Sequence, residues 1–563
     1  MISFPRHRGR HRRSAPLVLG AGVLAVLSLL PSSALAAPPA PEVTAAPDPA
    51  APGPAVPGTP AADAALPGTA SAPTGAERRV SAYLDGIRKR PAALRAFFRD
   101  LPKGADLHNH LSGAASTELL IKLAGDDGLC IETRTMTARP APCGPGTRPA
   151  AQARQDRSFH RQILRAWSMQ DFSSASGESG HDHFFAAFGK FGEVSWRHGG
   201  ELLADVANTA ARQHQFYLET MLTPASGGSK KLAEQVGYHA DLRRMHQLLT
   251  AGGKLDKLVR DAGREIDKDT AAFRKAARCD TARPGPGCRL TVRYISQVSR
   301  GSTPERVFTQ MALGMRLAER DHRYVAVNLV QPEDERNALR NYRLHMRMLD
   351  YLHGVYPRAH ITLHAGELVP GLVKPEDLRF HINEAVRTGH AERIGHGVDV
   401  AHEDGAPALL RTMARRGIAV EVPFTSNRQI LGVSGADHPF PLYRRYGVPV
   451  VLATDDPGIS RSDISAEYRY ASGTYGLRYR ELKDLARASL EHAFLPGRSL
   501  WGDRNHGKRA YELARPCRME RPGGHQPRAA CTRFLAKNLK AALEWRQEVA
   551  FARFEHRILH ARH

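Results

Sequence analysis

Four short motifs carry the side chains able to do chemistry: His108-Asn109-His110, His364-Ala365-Gly366-Glu367, Gly395-His396-Gly397 and Thr454-Asp455-Asp456. His108 and His110 alternate by two, so on a strand both imidazoles face one side. His364 adds a third nitrogen and Asp455 a carboxylate oxygen. That mixed set suits zinc and tolerates iron, cobalt or manganese. A catalytic zinc keeps one position open, where bound water loses a proton near neutral pH. The expectation is one Zn2+ per chain, held by His108, His110, His364 and Asp455. Three groups remain for proton transfer and substrate contact. Glu367 lies beyond a glycine that can turn the chain toward a pocket, and a carboxylic acid beside a metal can stay protonated and donate to a substrate atom. His396, between two glycines, is placed to hold or deprotonate the water. Asp456 is placed to bind substrate or to orient the water. These are the parts of a hydrolase.

Such residues need rigid supports. Short apolar runs recur with helical stretches between them: Ala105–His110, Phe216–Leu222, Leu290–Gln297, Tyr324–Val330, Ile361–Glu367, Arg393–Val400, Ile418–Pro423 and Val450–Asp455. Continuous apolar runs suit parallel strands buried on both faces. Eight of them alternating with helices predict an α/β fold, a (β/α)8 barrel. His110, Glu367, His396, Asn427 and Asp455 then fall at or just past the C-terminal ends of strands 1, 5, 6, 7 and 8, the face where such barrels build active sites. The stretch 111–215 is an insertion of extra helices and a candidate lid. Within it His181-Asp182-His183 resembles a ligand pair, but Phe184, Phe185, Phe188 and Phe191 follow at helical spacing, and histidines two apart do not share a helix face. Packing or a hydrophobic lid is the reading there. Arg78 to Arg99 is expected to form one helix before the barrel, and Leu482 to Arg562 helices outside it.

The chain has 563 residues, 42% of them hydrophobic. Arg6, Arg8, Arg10, Arg12 and Arg13 precede the apolar run from Pro16 to Leu30 and then Ala34-Leu35-Ala36. This is the pattern of a cleaved export signal over 1–36, with an apolar run short for a membrane span. Residues 37–76, rich in Ala, Pro, Gly and Thr, are expected to be an extended linker. The catalytic domain is then 77–563, and the mature protein is expected outside the cell. The six cysteines fall into near neighbours, Cys130/Cys143, Cys279/Cys288 and Cys517/Cys531, which in an exported protein suggests three local disulfides. No C-x-x-C cluster points to a zinc finger. The formal net charge is +23, yet no basic block interleaved with aromatics appears in the body, so nucleic acid is not expected as a partner.

Taken together the motifs resemble the adenosine deaminase family, and export with cysteine-bounded insertions is similar to its secreted, growth-factor-related branch. Pro102-Lys103-Gly104-Ala105-Asp106-Leu107-His108-Asn109-His110-Leu111-Ser112-Gly113 looks like the first family signature. The later motifs, with Thr425-Ser426-Asn427 and Thr454-Asp455-Asp456-Pro457, look like the rest. The resemblance implies a zinc held by His108, His110, His364 and Asp455. It implies that His396 orients and deprotonates the water, that Glu367 protonates the purine ring nitrogen beside the reacting carbon, and that Asp456 aids attack and contacts the base. Ser112, Gly113 and Gln331 fall where the family meets its substrate. The implied partner is a purine nucleoside, adenosine or 2′-deoxyadenosine, with no stable membrane insertion and room for a homodimer.

Two departures bear on the substrate. Many family members have an acidic residue after the first H-x-H that contacts the sugar 5′-hydroxyl; Ser112 stands here. Many have a glycine after strand 4 whose amide meets the purine; here the sequence is Val330-Gln331-Pro332. Adenine or a modified adenosine therefore stays open as substrate. A binuclear amidohydrolase would need a lysine on strand 4, absent from Tyr324–Val330, and the cytidine-type deaminases need P-C-x-x-C, which is also absent. A nucleoside binder without turnover would need neither Glu367 nor His396.

Overall fold

The computed structural model describes residues 73–502, 511–524 and 526–560. The expected export signal, and the linker up to residue 72, lie outside the described residues. Eight parallel strands form one sheet: β1 (Gly104–His110), β2 (Gln215–Leu222), β3 (Thr291–Ser299), β4 (Tyr324–Val330), β5 (His360–Ala365), β6 (Arg393–His396), β7 (Ala419–Val422) and β8 (Val450–Leu452). Each pairs with its sequence neighbour in order. The circle closes where His110 N–H donates to the Asp455 carbonyl at 3.0 Å and Asp455 N–H donates to the His108 carbonyl at 2.9 Å. This is a (β/α)8 barrel, as the apolar runs predict.

Four strands end earlier than the apolar runs: β5 at Ala365 instead of Glu367, β7 at Val422 instead of Pro423, and β6 and β8 by more. β6 stops at His396 instead of Val400, because His396 and Gly397 take φ values of +66° and +58° and turn the chain out of the sheet. β8 stops at Leu452, and Asp455 sits at φ +60°. The helix expected over Arg78–Arg99 is two helices, α1 (Gly75–Ile87) and α2 (Pro91–Asp100). Thr74 starts the first by exchanging hydrogen bonds with Glu77, a capping box. Pro91 starts the second, and the residue before a proline is pushed out of helical geometry. Where helices are expected after Leu482, the described residues show the helix over Tyr479–Glu491 giving way to loops and a 3-10 turn at Arg515–Cys517, with Pro496, Gly497, Pro516, Pro522 and Gly523 among them, before helices resume at Ala529–Lys537 and Leu539–His560.

Between β1 and β2 lies the expected insertion. It holds a small antiparallel sheet of Cys130–Glu132, Thr137–Arg139 and Thr147–Pro149, and a helix, α3 (Gly180–Ser195), whose Phe184 and Phe191 are buried. The three expected cystines are present: Cys130–Cys143, Cys279–Cys288 and Cys517–Cys531.

The barrel interior is partly ionic. Arg393, at the start of β6, is 1% exposed and reaches Glu219 on β2 and Glu421 on β7, each at 2.5 Å. Its Nη1 also donates to the His492 carbonyl at 2.9 Å, and Phe494 N–H donates to Glu219 at 2.7 Å, so the segment after Glu491 is tied into the barrel. Removing one partner of a buried pair leaves an uncompensated charge and costs about 3–5 kcal/mol. Arg393→Met is therefore expected to lower the urea midpoint by a stability loss of that order. An unchanged midpoint would show that Glu219 and Glu421 do not depend on the guanidinium.

Candidate active site

The sheet delivers four imidazoles and three carboxyl groups to the C-terminal mouth of the barrel, all of them less than a tenth exposed. Hydrogen bonding fixes how the rings present themselves. His108 Nδ1 lies 2.7 Å from the Glu421 carboxylate, which can only accept, so Nδ1 carries the proton. Asn328 Oδ1 accepts the backbone N–H of His364 at 3.0 Å, and the His364 Nδ1–H donates to the same oxygen at 2.8 Å. The His110 Nδ1–H donates to Gln297 Oε1 at 2.8 Å, while the Gln297 amide nitrogen donates to Thr223. All three rings therefore turn Nε2, with its lone pair, toward Asp455. His110 Nε2 lies 3.2 Å from His364 Nε2 and 3.2 Å from Asp455 Oδ1, and His108 Nε2 lies 3.4 Å from that oxygen. Acceptors face acceptors with no proton between them, and a cation resolves that arrangement.

Two overlapping groups satisfy the geometry of a metal site, His108, His364, His396 and Asp455, and His110, Asp455 and Asp456, with candidate ligand atoms within 4.8 Å of one another in each. The expected set of His108, His110, His364 and Asp455 straddles both, and the donor set fits a divalent ion of zinc's preferences. The field points the same way. Burial would raise Asp455, yet the imidazoles of His108 and His110 beside it hold it well below the usual carboxylate range. Burial would lower His108, yet Asp455 and Glu421 raise it, so the carboxylates draw positive charge to the point where the lone pairs meet.

Three further groups stand around this cluster. Burial, then the Asp455 and Glu333 carboxylates, push Glu367 up to about 8 against Arg300 and His108, which favours its neutral, proton-donating form. The turn that presents it is held by Glu333, which accepts the N–H groups of Gly366 and Glu367 at 3.2 and 2.8 Å and is itself bound by His381 at 2.6 Å. Gly366 has φ +76°, and a β-carbon there would meet Asp399 at 2.4 Å. His396 Nδ1 faces Asn427 Oδ1 at 2.8 Å, and its Nε2 lies 4.0 Å from Asp455 Oδ2 without a hydrogen-bond partner. Asp456 is raised well above the usual range by burial first and then by Asp455 and Glu367. Its Oδ1 has no partner and would lie 1.8 Å from a β-carbon at Gly113, so the glycine makes room for this carboxyl.

These groups open into a cavity of about 410 Å³ whose walls include Phe184, Phe185 and Phe188 of α3, together with Ser112, Gln297 and Gln331. The aromatic run of the insertion thus forms one side of the pocket. Gln331 sits at φ +81°, and its side-chain oxygen accepts the Gly301 N–H at 3.1 Å. His181 and His183 take no part: the first is bound by Asp182 and Asp334, the second by Glu178 and the carbonyls of Arg165 and Ser168.

The family model described as adenosine deaminase matches residues 200–500. The chain belongs to the adenosine deaminase family. It is 38% identical over 136 residues to an adenosine deaminase of Serratia proteamaculans, and 39% identical over 137 residues to one of Salmonella typhimurium. Each match covers 24% of this chain and 38% of the relative, so the chain spans about two fifths of the length of the relatives it matches. Among solved structures, the Arabidopsis N6-mAMP deaminase is 20% identical with a TM-score of 0.44, covering 71% of this chain and 96% of that one. The adenine deaminase of Arthrobacter aurescens is 16% identical with a TM-score of 0.39, covering 70% and 94%.

In this adenosine deaminase family chain the motifs name the residues that face the cluster, and miss Glu421, Gln297, Asn328 and Glu333, which hold them; Ser426, inside a motif but given no role there, donates its hydroxyl to Asp455 Oδ2 at 2.6 Å. One signal was present. Glu421, Asn328 and Gln297 interrupt or end otherwise apolar strand runs, and a polar side chain in a strand buried on both faces needs a partner. Carboxylates and amides behind metal-binding imidazoles typically govern affinity by 10–100-fold. Glu421→Gln and Gln297→Leu are each expected to weaken zinc binding by about that factor in a chelator competition. Gln297→Leu does so without touching Arg393, and undiminished affinity in both would refute the role of these supports.

Proposed function

We propose that the chain is a zinc-dependent aminohydrolase that converts adenosine or 2′-deoxyadenosine and water to inosine or 2′-deoxyinosine and ammonia. One observation carries the reading: a neutral carboxylic acid, Glu367, shares a cavity with a cluster of lone pairs arranged for a divalent cation. Displacing an aromatic amine by water needs a nucleophile and an acid at the ring, and both are provided for. A divalent ion held by His108, His110, His364 and Asp455 would supply a Lewis acid that makes the attacking water more acidic. His396 Nε2, unpartnered beside Asp455, holds that water and takes its proton. Asp456 Oδ1, also unpartnered, steadies the attack and meets the base. Glu367 donates its proton to the ring nitrogen next to C6, which draws electrons from the ring as the carbon–oxygen bond forms. The carbon–nitrogen bond then breaks: the amino group takes the proton held by His396 and leaves as ammonia, while the C6 hydroxyl returns its proton to Glu367 as the carbonyl forms. The phenylalanines of α3 keep bulk water from the face of the purine.

The cavity lining contains no lysine or arginine. A phosphate would find no guanidinium or ammonium partner there, which favours a nucleoside over a nucleotide. Ser112 in place of an acid leaves the sugar end neutral, and adenine or a modified adenosine is the second reading. We further propose that the protein is exported; three cystines support this. No helix among the described residues is long and apolar enough to cross a membrane.

Ammonia release from adenosine, 2′-deoxyadenosine, adenine and AMP, each with and without a zinc chelator, tests the reading. Chelator-sensitive release from the two nucleosides is expected; release from adenine alone, or from none, rejects it. Glu367→Gln is expected to keep zinc and the melting temperature while kcat falls by about 10²–10⁴-fold. Near-full turnover in that variant would remove Glu367 from the mechanism.

A further inference from the structure

The face of the barrel opposite the active site is built from the residues that precede each strand. There, the turn 211–215 that leads into β2 separates two cavities. One, of about 550 Å³, is lined by Arg95 and Arg99 of α2, Arg212, and Arg469 of the helix Ile464–Tyr475. The other, of about 430 Å³, is lined by His214, Arg289 and Arg546, the last on the helix Leu539–His560. The two cavities take consecutive residues, Arg212 and Gln213 on one side and His214 and Gln215 on the other, so they adjoin across one turn.

The cations here are not neutralised by the fold. Arg99 pairs with Asp100. The other five, Arg95, Arg212, Arg289, Arg469 and Arg546, are exposed and have no ion-pair partner among the described residues. Asp463, the carboxylate in the first lining, is spent on the N–H of Ala466. Arg546 is held below its ordinary value by burial and then by Arg289, and His214 by burial and then by Lys103, so like charges face one another. Bringing guanidinium groups together around a concave surface costs free energy that a bound anion returns. The planar fork of each suits phosphate or sulfate oxygens. The rings at these cavities, Phe98 and Phe216, are 1% and 7% exposed, so no aromatic platform exists for stacking bases.

We propose that this face binds a linear polyanion, a chain of repeating phosphate or sulfate groups without base recognition, laid across Arg95, Arg212, Arg469, Arg289 and Arg546. The site is independent of the catalytic cavity, which is lined by no lysine or arginine. It would tether the protein to an anionic matrix with the barrel mouth pointing away.

The test must separate this site from the attraction of a chain whose net charge is +23. Binding of long-chain polyphosphate and of heparin is measured by fluorescence competition across a salt series. The quadruple variant R95A/R289A/R469A/R546A is compared with R134A/R264A/R274A/R379A, which loses the same charge from arginines that pair with acids elsewhere. Affinity for one or both polymers is expected to fall at least tenfold in the first variant and less than twofold in the second, with a shallower salt dependence in the first. Polyphosphate binding without heparin binding identifies phosphate as the recognised group, and the reverse identifies sulfate. Equal losses in the two variants, or no binding of either polymer, overturn the proposal. So does a random single-stranded oligonucleotide that binds more than tenfold tighter than both. If the quadruple variant lacks a cooperative melting transition, R95A/R469A and R289A/R546A, one pair per cavity, are read by the same criteria.

Discussion

The barrel closes through three of the candidate metal ligands. His108 and His110 on the first strand exchange backbone hydrogen bonds with Asp455 beyond the last, and the side chains of the same three residues converge on one point. Ligands separated by more than three hundred positions are thus placed by the shortest connection the fold can make, a pair of peptide hydrogen bonds. The strain of a left-handed aspartate at the join is tolerated because the closed sheet over-determines it. Every other feature of the site is arranged around that seam.

Charge runs from the barrel interior to the mouth in alternating sign. Glu219 and Glu421 flank Arg393, and Glu421 then orients His108, whose far nitrogen meets Asp455. Burial would raise Glu421, but Arg393 and His108 hold it at about 2, so the carboxylate behind the ligand stays ionised at any pH the protein meets. On the other side of the mouth the balance is reversed. Burial first, then the carboxylates of Asp455 and Glu333, push Glu367 up toward its protonated form. One pocket thereby keeps one glutamate charged to steady a ligand and another neutral to deliver a proton, through environment alone.

The strand order and the reactive residues were legible because both follow from short-range patterns. Parallel strands covered on both faces read as apolar runs, and reactive groups fall where those runs end. Boundaries were less legible where backbone strain decides them. Nothing in Arg393–Val400 announces that His396 will take a positive φ, and nothing before Pro91 shows that α1 ends at Ile87. The supports were hidden for a different reason. Gln297, Asn328 and Glu421 gain meaning only from partners on neighbouring strands, a relation that one-dimensional spacing does not express. Glu333 stands in the same position: it lies just past the Val330-Gln331-Pro332 departure, and its role is visible only once the turn at Gly366 is seen folded over it.

Six cysteines can pair in fifteen ways. Here each bonds with its nearest neighbour in the chain, at separations of 13, 9 and 14 residues. The correct partner is therefore always the first one to emerge after any given odd-numbered cysteine, and each loop can be sealed before the next pair exists. Pairing fidelity is written into the order of synthesis. The barrel, whose seam must wait for its last strand, inherits a chain whose cross-links need no later shuffling.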